Sequence, residues 1–368
     1  MRLLSSGVAA VVAVALVAPA TAAHAATGPP VHCGAVITAN VSLTQDLHCS
    51  SGVGLTLNGN VTLDLNGHWL IGPGKAKAAF ATSIGVALVE SRTPRVRNGT
   101  ITGWGTGTGP SPDNGGFDPT NATFGGMTYL DNGSGLSGFN STFDVANTQF
   151  VHNATDAIGG LSMFVTVRSS TFLRNGRGIS VSGGGAITLN GSTLEHNGVA
   201  VSCSEVGCTI SQSRLRYNST AIAAFFAGGK ITSNDVSGNG IGFRTDYNPD
   251  SRYAHELSSN VFTGNTSAVV VNALGSANLH DNIFTGNGVG FTVPSGDFTT
   301  TTLLERNVFT RNGDGVHILA AGTSLKNNAA IKNNRFGIYA IGAVDLGGNV
   351  AFGNGHNPQC VGVTCSSH

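Results

Sequence analysis

The chain is poor in charge. Asp, Glu, Lys and Arg together make up 10% of its residues, against about 25% in ordinary soluble proteins. Its 19 basic and 19 acidic residues cancel. No net field would draw in nucleic acid or a strongly anionic polymer. Long apolar runs are scarce too. The one at 8–17 follows Arg2 and precedes the small-x-small triplet Ala23-His24-Ala25. That is the pattern of a removed secretion signal, and it is too short for a membrane span. Residues 1–25 are therefore expected to be a signal peptide and the mature chain to be extracellular. No stretch elsewhere nears twenty apolar residues, and no repeat holds ten residues with helical spacing. HExxH, EF-hand and P-loop patterns are absent, so no cofactor is called for. Ca²⁺ stays open as a ligand without a motif. No cysteine pair lies beside histidines at zinc-finger spacing.

What the chain has is a period. NVFTGNT at 260–266, NIFTGNG at 282–288 and NVFTRNG at 307–313 are versions of one segment. Its second asparagine recurs at 153, 175, 197, 218, 239, 265, 287, 312, 333 and 354. The steps are 21 or 22 residues, stretched to 26 after Asn239 and to 25 after Asn287. Self-similarity at this period marks a stacked repeat architecture. Each repeat holds three short apolar runs separated by turns, with the alternation of half-buried strands. Three strands per turn, each stacked on its equivalent one coil away, make a parallel β-helix, with coils about 4.8 Å apart. Like residues then form inward rows. Phe172, Phe262, Phe284 and Phe309 make one. Ile179, Val201, Ile222, Phe243, Val269, Phe291 and Val316 make another. The asparagine suits a corner because it tolerates left-handed backbone, and stacked amides bond along a ladder. The glycine that often follows would relieve the same corner.

The expected organisation is a cap and first coil at 26–71, then a solenoid over 72–365. Loop insertions are expected near 104–126, 247–256 and 294–302, and a disulfide cap at 356–368. The six cysteines suit an oxidised, exported protein. They allow fifteen pairings, and spacing suggests Cys33–Cys49, Cys203–Cys208 and Cys360–Cys365. Trp104 and Phe117 flank the 104–126 loop; stacking on a sugar is one role open to both, and covering the solenoid wall is the simpler one. Arg95 and Arg97 alternate with Val96 and should point outward.

Residues 33–71 (CGAVITANVSLTQDLHCSSG…VTLDLNGHWLIG), the Asn-x-Phe-Thr-x-Asn-Gly coils and the ending NPQCVGVTC resemble secreted bacterial right-handed parallel β-helix repeat proteins of the pectate-lyase-like superfamily. The resemblance covers nearly all of 31–365. It implies an all-β, single-domain, right-handed solenoid, and it implies sugar-polymer chemistry on an outer groove. The polygalacturonase signatures are missing. GGFDPT at 115–120 has the Phe-Asp-Pro of the alginate-epimerase motif but lacks its Tyr and His.

Columns of outward positions locate a candidate site. Two residues before each repeat's first Asn or Ser stand Arg168, Asn190, Ser211, Thr232, Ser258, His280, Glu305, Lys326 and Gly347. Three consecutive coils there carry His280, Glu305 and Lys326. Five residues after each second Asn stand Ser180, Ser202, Ala223, Arg244, Val270, Thr292 and His317. Both over-long repeats carry their extra residues at the same corner, two coils apart. These insertions are expected to wall a groove with Arg244, Asp246, His280, Glu305 and His317 in its floor. Tyr247, Tyr253, His255 and Glu256 would stand on the wall. A lyase needs a base for the proton beside a uronate and a cation for its carboxylate. A glycosidase needs two carboxylates. Glu305, Lys326, His280 and Arg244 are the catalytic candidates, and Asp246, Tyr247, Tyr253, His255, Glu256 and His317 the substrate-binding ones. The plain alternative for His–Glu–Lys is a solvated charge ladder. Two functions follow. One is a secreted polysaccharide lyase or hydrolase. The other is a non-catalytic glycan- or cell-envelope-binding or structural surface protein. Either would act as a monomer on a glycan partner, with no nucleic acid and no membrane span.

Overall fold

Short strands, most of them of two to six residues and a few longer ones bent through a corner, wind into a solenoid of about 14 turns. The structure, a computed structural model, describes residues 31–74, 83–89, 92–112, 119–246, 254–272, 274–295 and 301–367. The expected signal peptide, Phe117, Tyr247 and Tyr253 lie outside them. Every strand pairing among the described residues is parallel, from one coil to the next. Three faces result. A short first face holds strands such as Ile283–Thr285, between the two corner rows. The second face follows, with strands such as Val289–Val293, and the third closes the coil, as in Thr301–Glu305.

The inward rows stand as the period predicts. Phe150 pairs with Phe172, and further along Phe262 with Phe284 and Phe284 with Phe309. Their rings stack at 4.8, 5.0 and 4.6 Å between centroids. All of them are fully buried, and truncating one to alanine costs about 3–5 kcal/mol. The second row runs unbroken from Ile158 through Phe243 to Ile338.

The asparagines form two buried ladders. In the row after the first face, the Oδ1 of Asn265 accepts from both the backbone N–H and the Nδ2 of Asn239. The Nδ2 of Asn265 donates to the Val236 carbonyl, and its N–H to Asn287. The opposite row begins with hydroxyls, Ser170, Ser192 and Ser213, and changes to asparagine at Asn234. At the C-terminal end the Gln359 side chain takes the place of the next asparagine, its Oε1 accepting from Asn354 N and Nδ2. One expectation needs correction. The left-handed residue of this corner is the one before the ladder asparagine: His152, Arg174, His196, Tyr217 and Gly238, with φ near +55° to +66°. The asparagine is retained for its amide, which satisfies backbone groups that burial would otherwise orphan. The glycine that follows is there for space. A Cβ on Gly176 would stand 2.4 Å from the Ala154 carbonyl oxygen one coil earlier, and on Gly313 2.3 Å from that of Gly288.

The three expected disulfides are formed. Cys33–Cys49 closes the first coil. Cys203–Cys208 joins the second-face strand Val199–Ser204 to the third-face strand Gly207–Ser211 across their corner. Cys360–Cys365 lies in the last coil, where Cys360–Val361 still pairs with Ile338–Ala340.

Within the stretch 104–126, where a loop is expected, the described residues include two solenoid strands, and 113–118 lie outside the described residues. Thr106–Pro110 is a second-face strand paired with Ile84–Leu88, and Asn121–Leu130 runs from the third face into the first. Thr106–Pro110 hides its pattern because Gly and Thr fill its buried positions, Thr108 bonding the Tyr129 hydroxyl at 3.2 Å. In Asn121–Leu130 the alternation changes phase at Gly126, which has φ +63°. Trp104 is buried and its Nε1 donates to the Leu70 carbonyl. Arg95 and Arg97 do face outward, Arg97 bonding Asp64 at 2.9 Å.

Candidate functional site

Outward columns follow the expected register, because a one-residue slip would turn every core side chain to solvent. On the third face His280 pairs with Glu305, and Glu305 with Lys326. On the second face Ser180, Ser202, Ala223, Arg244, Val270, Thr292 and His317 succeed one another. The two columns lie on different faces, so they do not form one floor. Arg244 is ion-paired with Asp246 at 2.8 Å on the second face. Val270 and Thr292 separate it from His317, three steps or ~14 Å along the axis.

The third-face column is a chain of ion pairs. Lys230 Nζ lies 3.5 Å from Glu256, whose other oxygen is 3.4 Å from His280 Nε2. His280 Nδ1 is 2.9 Å from Asp281. Arg306 bridges Asp281 at 2.8 Å and Glu305 at 2.9 Å, and Lys326 reaches Glu305 at 3.1 Å. The hydrogen bond from Lys326, with the charges of Arg306 and Lys326, holds Glu305 below the usual carboxylate pKa. The Arg306 and His280 hydrogen bonds lower Asp281 further. Carboxylates so held are poor proton donors at neutral pH. Glu256 and Glu305 sit on strands two coils apart, ~9.6 Å by stacking alone and further by their offset along the strand. A retaining glycosidase places its pair about 5 Å apart.

His255 departs from the expected wall. It faces inward, fully buried, its ring edge-on to Phe243 at 5.2 Å. Burial lowers its pKa to about 4, against the opposing effect of the Ala227 backbone. The insertion returns to the solenoid at this residue, and the inward phase resumes at His255, placing Glu256 outward. Sequence alternation was unreadable there because the preceding loop has no phase.

The second face carries a cleft that column-by-column reading of ionisable groups missed. It measures about 520 Å³. Ser137, Ser180 and Ser202 line its floor; Phe139, Leu161, Ser182 and Ser204 form the column nearer the next corner. On the other side Arg177 Nε and Nη2 bond the Asp156 carboxylate at 2.5 and 3.0 Å. That hydrogen-bonded pairing raises the Arg177 pKa. Gly159 opens the floor between Ser137 and Ser180. A Cβ there would lie 2.7 Å from the Asp156 side chain, so glycine lets that carboxylate lean across. None of the five seryl hydroxyls makes a hydrogen bond to another described residue. The signal was present in the sequence as the small polar entries Ser180 and Ser202. Among the described residues no three His, Cys, Asp or Glu side chains converge as metal ligands, and no helix is long and apolar enough to cross a membrane.

A sequence model described as the right handed beta helix region matches residues 159–303. The chain is a right-handed parallel β-helix protein. The matched region holds the cleft lining from Gly160 to Ser204, and Lys230, Glu256, His280 and Asp281 of the third-face network. A search of curated proteins finds no match. Among solved structures, the periplasmic alginate epimerase AlgG superposes with a TM-score of 0.53 at 11% identity, over 78% of this chain and 77% of that one. The A-module of the Azotobacter vinelandii mannuronan C-5 epimerase AlgE4 gives a TM-score of 0.37 at 16% identity, over 89% and 91%. The first is a likeness of fold, and fold does not carry activity with it.

Proposed function

We propose that this β-helix binds a polysaccharide laid along its second face, with the cleft between Ser137 and Ser204 as the principal subsite. The carrying observation is the uncommitted hydroxyl floor. Five hydroxyls, an Arg–Asp pair and the apolar Phe139 and Leu161 converge in one concave surface. Sugars present hydroxyls and apolar ring faces together, and a site with matched polar and apolar groups recognises both. The Arg177–Asp156 pair offers a donor and an acceptor with no net charge. That balance favours a neutral or weakly charged polymer. Ser202→Trp fills the cleft from an outward position and leaves the core untouched. On a panel of glucans, mannans, xylans and polyuronates, the wild-type protein is expected to be retained by at least one. Ser202→Trp should weaken that retention by ~10-fold, about 1.4 kcal/mol. A wild-type protein that binds nothing on the panel refutes the proposal.

One observation favours a second reading. His280 is held between Glu256 and Asp281, with Arg306 and Lys326 in the same network. An oriented imidazole and nearby cations are what proton removal beside a uronate requires. In this lyase reading His280 is the base, Lys326 and Arg306 receive the carboxylate, and Glu305 positions them. Polyuronate incubated with the protein would then gain the absorbance of an unsaturated product, and both His280→Ala and Lys326→Ala would lose it. No absorbance gain with the wild-type protein rules this reading out.

A further inference from the structure

Six steps along the axis from Ser202, the same outward column of the second face changes character. Thr292 is followed by His317 and then by Tyr339. Four rings gather there. Phe336 lies 4.9 Å from Tyr339 and stacks on His356 at 4.6 Å. His317 is 5.3 Å from Tyr339 and 6.3 Å from Phe336. His317, Phe336 and Tyr339 are half-buried and His356 is exposed. These rings are not part of the core, whose rows in the same coils are filled by Val316 and Ile338.

The base of the group is fixed. Asp314 is buried, bonds Arg335, and accepts the Phe336 N–H at 3.2 Å. The chain between Asn333 and Ile338 is thereby pinned, and the Phe336 ring against which Tyr339 and His356 pack is set before any ligand arrives. Preorganised aromatic faces bind at low entropic cost.

We infer that Phe336, Tyr339, His317 and His356 form a second subsite, a stacking platform for the apolar face of a pyranose ring. This rests on the reading of the second face as a polysaccharide surface. Between cleft and platform the outward column holds Ala223, Arg244, Val270 and Thr292, with Arg244 turned to its own partner Asp246. A polymer lying in the cleft and running along the axis meets the platform ~29 Å from Ser202, at about 4.8 Å per coil. One chain engages both subsites only when it is long enough to span them, and the second contact is then intramolecular.

The test uses an array of β-1,4-linked gluco-, manno- and xylo-oligosaccharides of three to eight sugars, read by calorimetry on the full chain. In the class that binds, the octamer is expected to bind more than ~10-fold tighter than the trimer, because only it bridges the subsites. Tyr339→Ala combined with His356→Ala should bring the octamer down to the trimer's affinity, with an unchanged melting temperature. A length advantage that survives in this folded variant overturns the platform. So does equal affinity for trimer and octamer in the wild-type protein; where Ser202→Trp still weakens binding by ~10-fold, the cleft stands alone. No binding by the wild-type protein to any member overturns both subsites.

Discussion

The second-face cleft, over residues 137–204, and the third-face ion-pair chain, over residues 230–326, are built on successive coils of one solenoid, yet their side chains are in opposite states. In the cleft, five hydroxyls have no hydrogen-bond partner among the described residues. On the third face, each of Glu256, Asp281 and Glu305 is already matched by a cation. The charged face draws the eye in the sequence, because ionisable residues are rare in this chain. Available hydrogen-bonding capacity lies on the other face. In a solenoid, where every outward position is sterically free to vary, commitment to internal partners separates a surface that holds itself together from one that can hold a ligand.

That contrast can be broken from several sides. The largest effect should come from the scaffold both faces share. Asn265→Ala leaves the Asn239 N–H, the Asn239 amide and the Val236 carbonyl without their partner. At about 1–3 kcal/mol for each buried group left unpaired, it should cost about 3 kcal/mol or more in chemical denaturation. Cleft and network should lose order together, and a loss under about 1 kcal/mol would mean the ladders are dispensable. Next is the interior beneath the third face. His255 titrates near 4 when folded and about 6.5 when unfolded. Between those values the unfolded chain holds a proton that the folded one refuses, so stability falls as pH drops through that window, by ~3 kcal/mol in full. Denaturation at pH 7 and pH 4 should show this slope, and His255→Leu should remove it. An unchanged slope in that variant would place the acid sensitivity elsewhere.

Two smaller effects compare the faces directly. Ser202→Trp should reduce glycan affinity by ~10-fold, whereas Asn278→Trp, outward on the third face, should leave it as it was. Equal losses would show that binding is not confined to the second face. Lys326→Ala should change stability by less than about 1 kcal/mol, and less still in high salt, as befits a half-exposed ion pair. A larger, salt-independent loss would show that the network supports the fold rather than decorating it.

Much of this was legible in the residues. The period placed the Phe262–Phe284–Phe309 stack and the order of both outward columns, because coil-to-coil neighbours are set by a register that the buried rows enforce, and local cysteine spacing gave the three disulfides. Legibility failed where the period was interrupted or the composition unusual. Thr106–Pro110 is a strand with Gly and Thr where apolar residues were sought. His255 turned inward because the insertion before it carries no phase. Ser180 and Ser202 were visible in their column, but nothing in the sequence shows that the Asp156 carboxylate leans over Gly159 beside them.

The sequence by itself determined how the coils stack along the axis, which is a one-dimensional problem of spacing. The tertiary structure decided what lies next to what around the circumference. Whether Arg244 shares a surface with Glu305, whether a residue after an insertion faces in or out, and whether missing side chains add up to a cleft all depend on corner geometry. Corners are made by single left-handed residues such as His152 and Tyr217, whose backbone angles turn the chain without leaving any hydrophobic pattern to read.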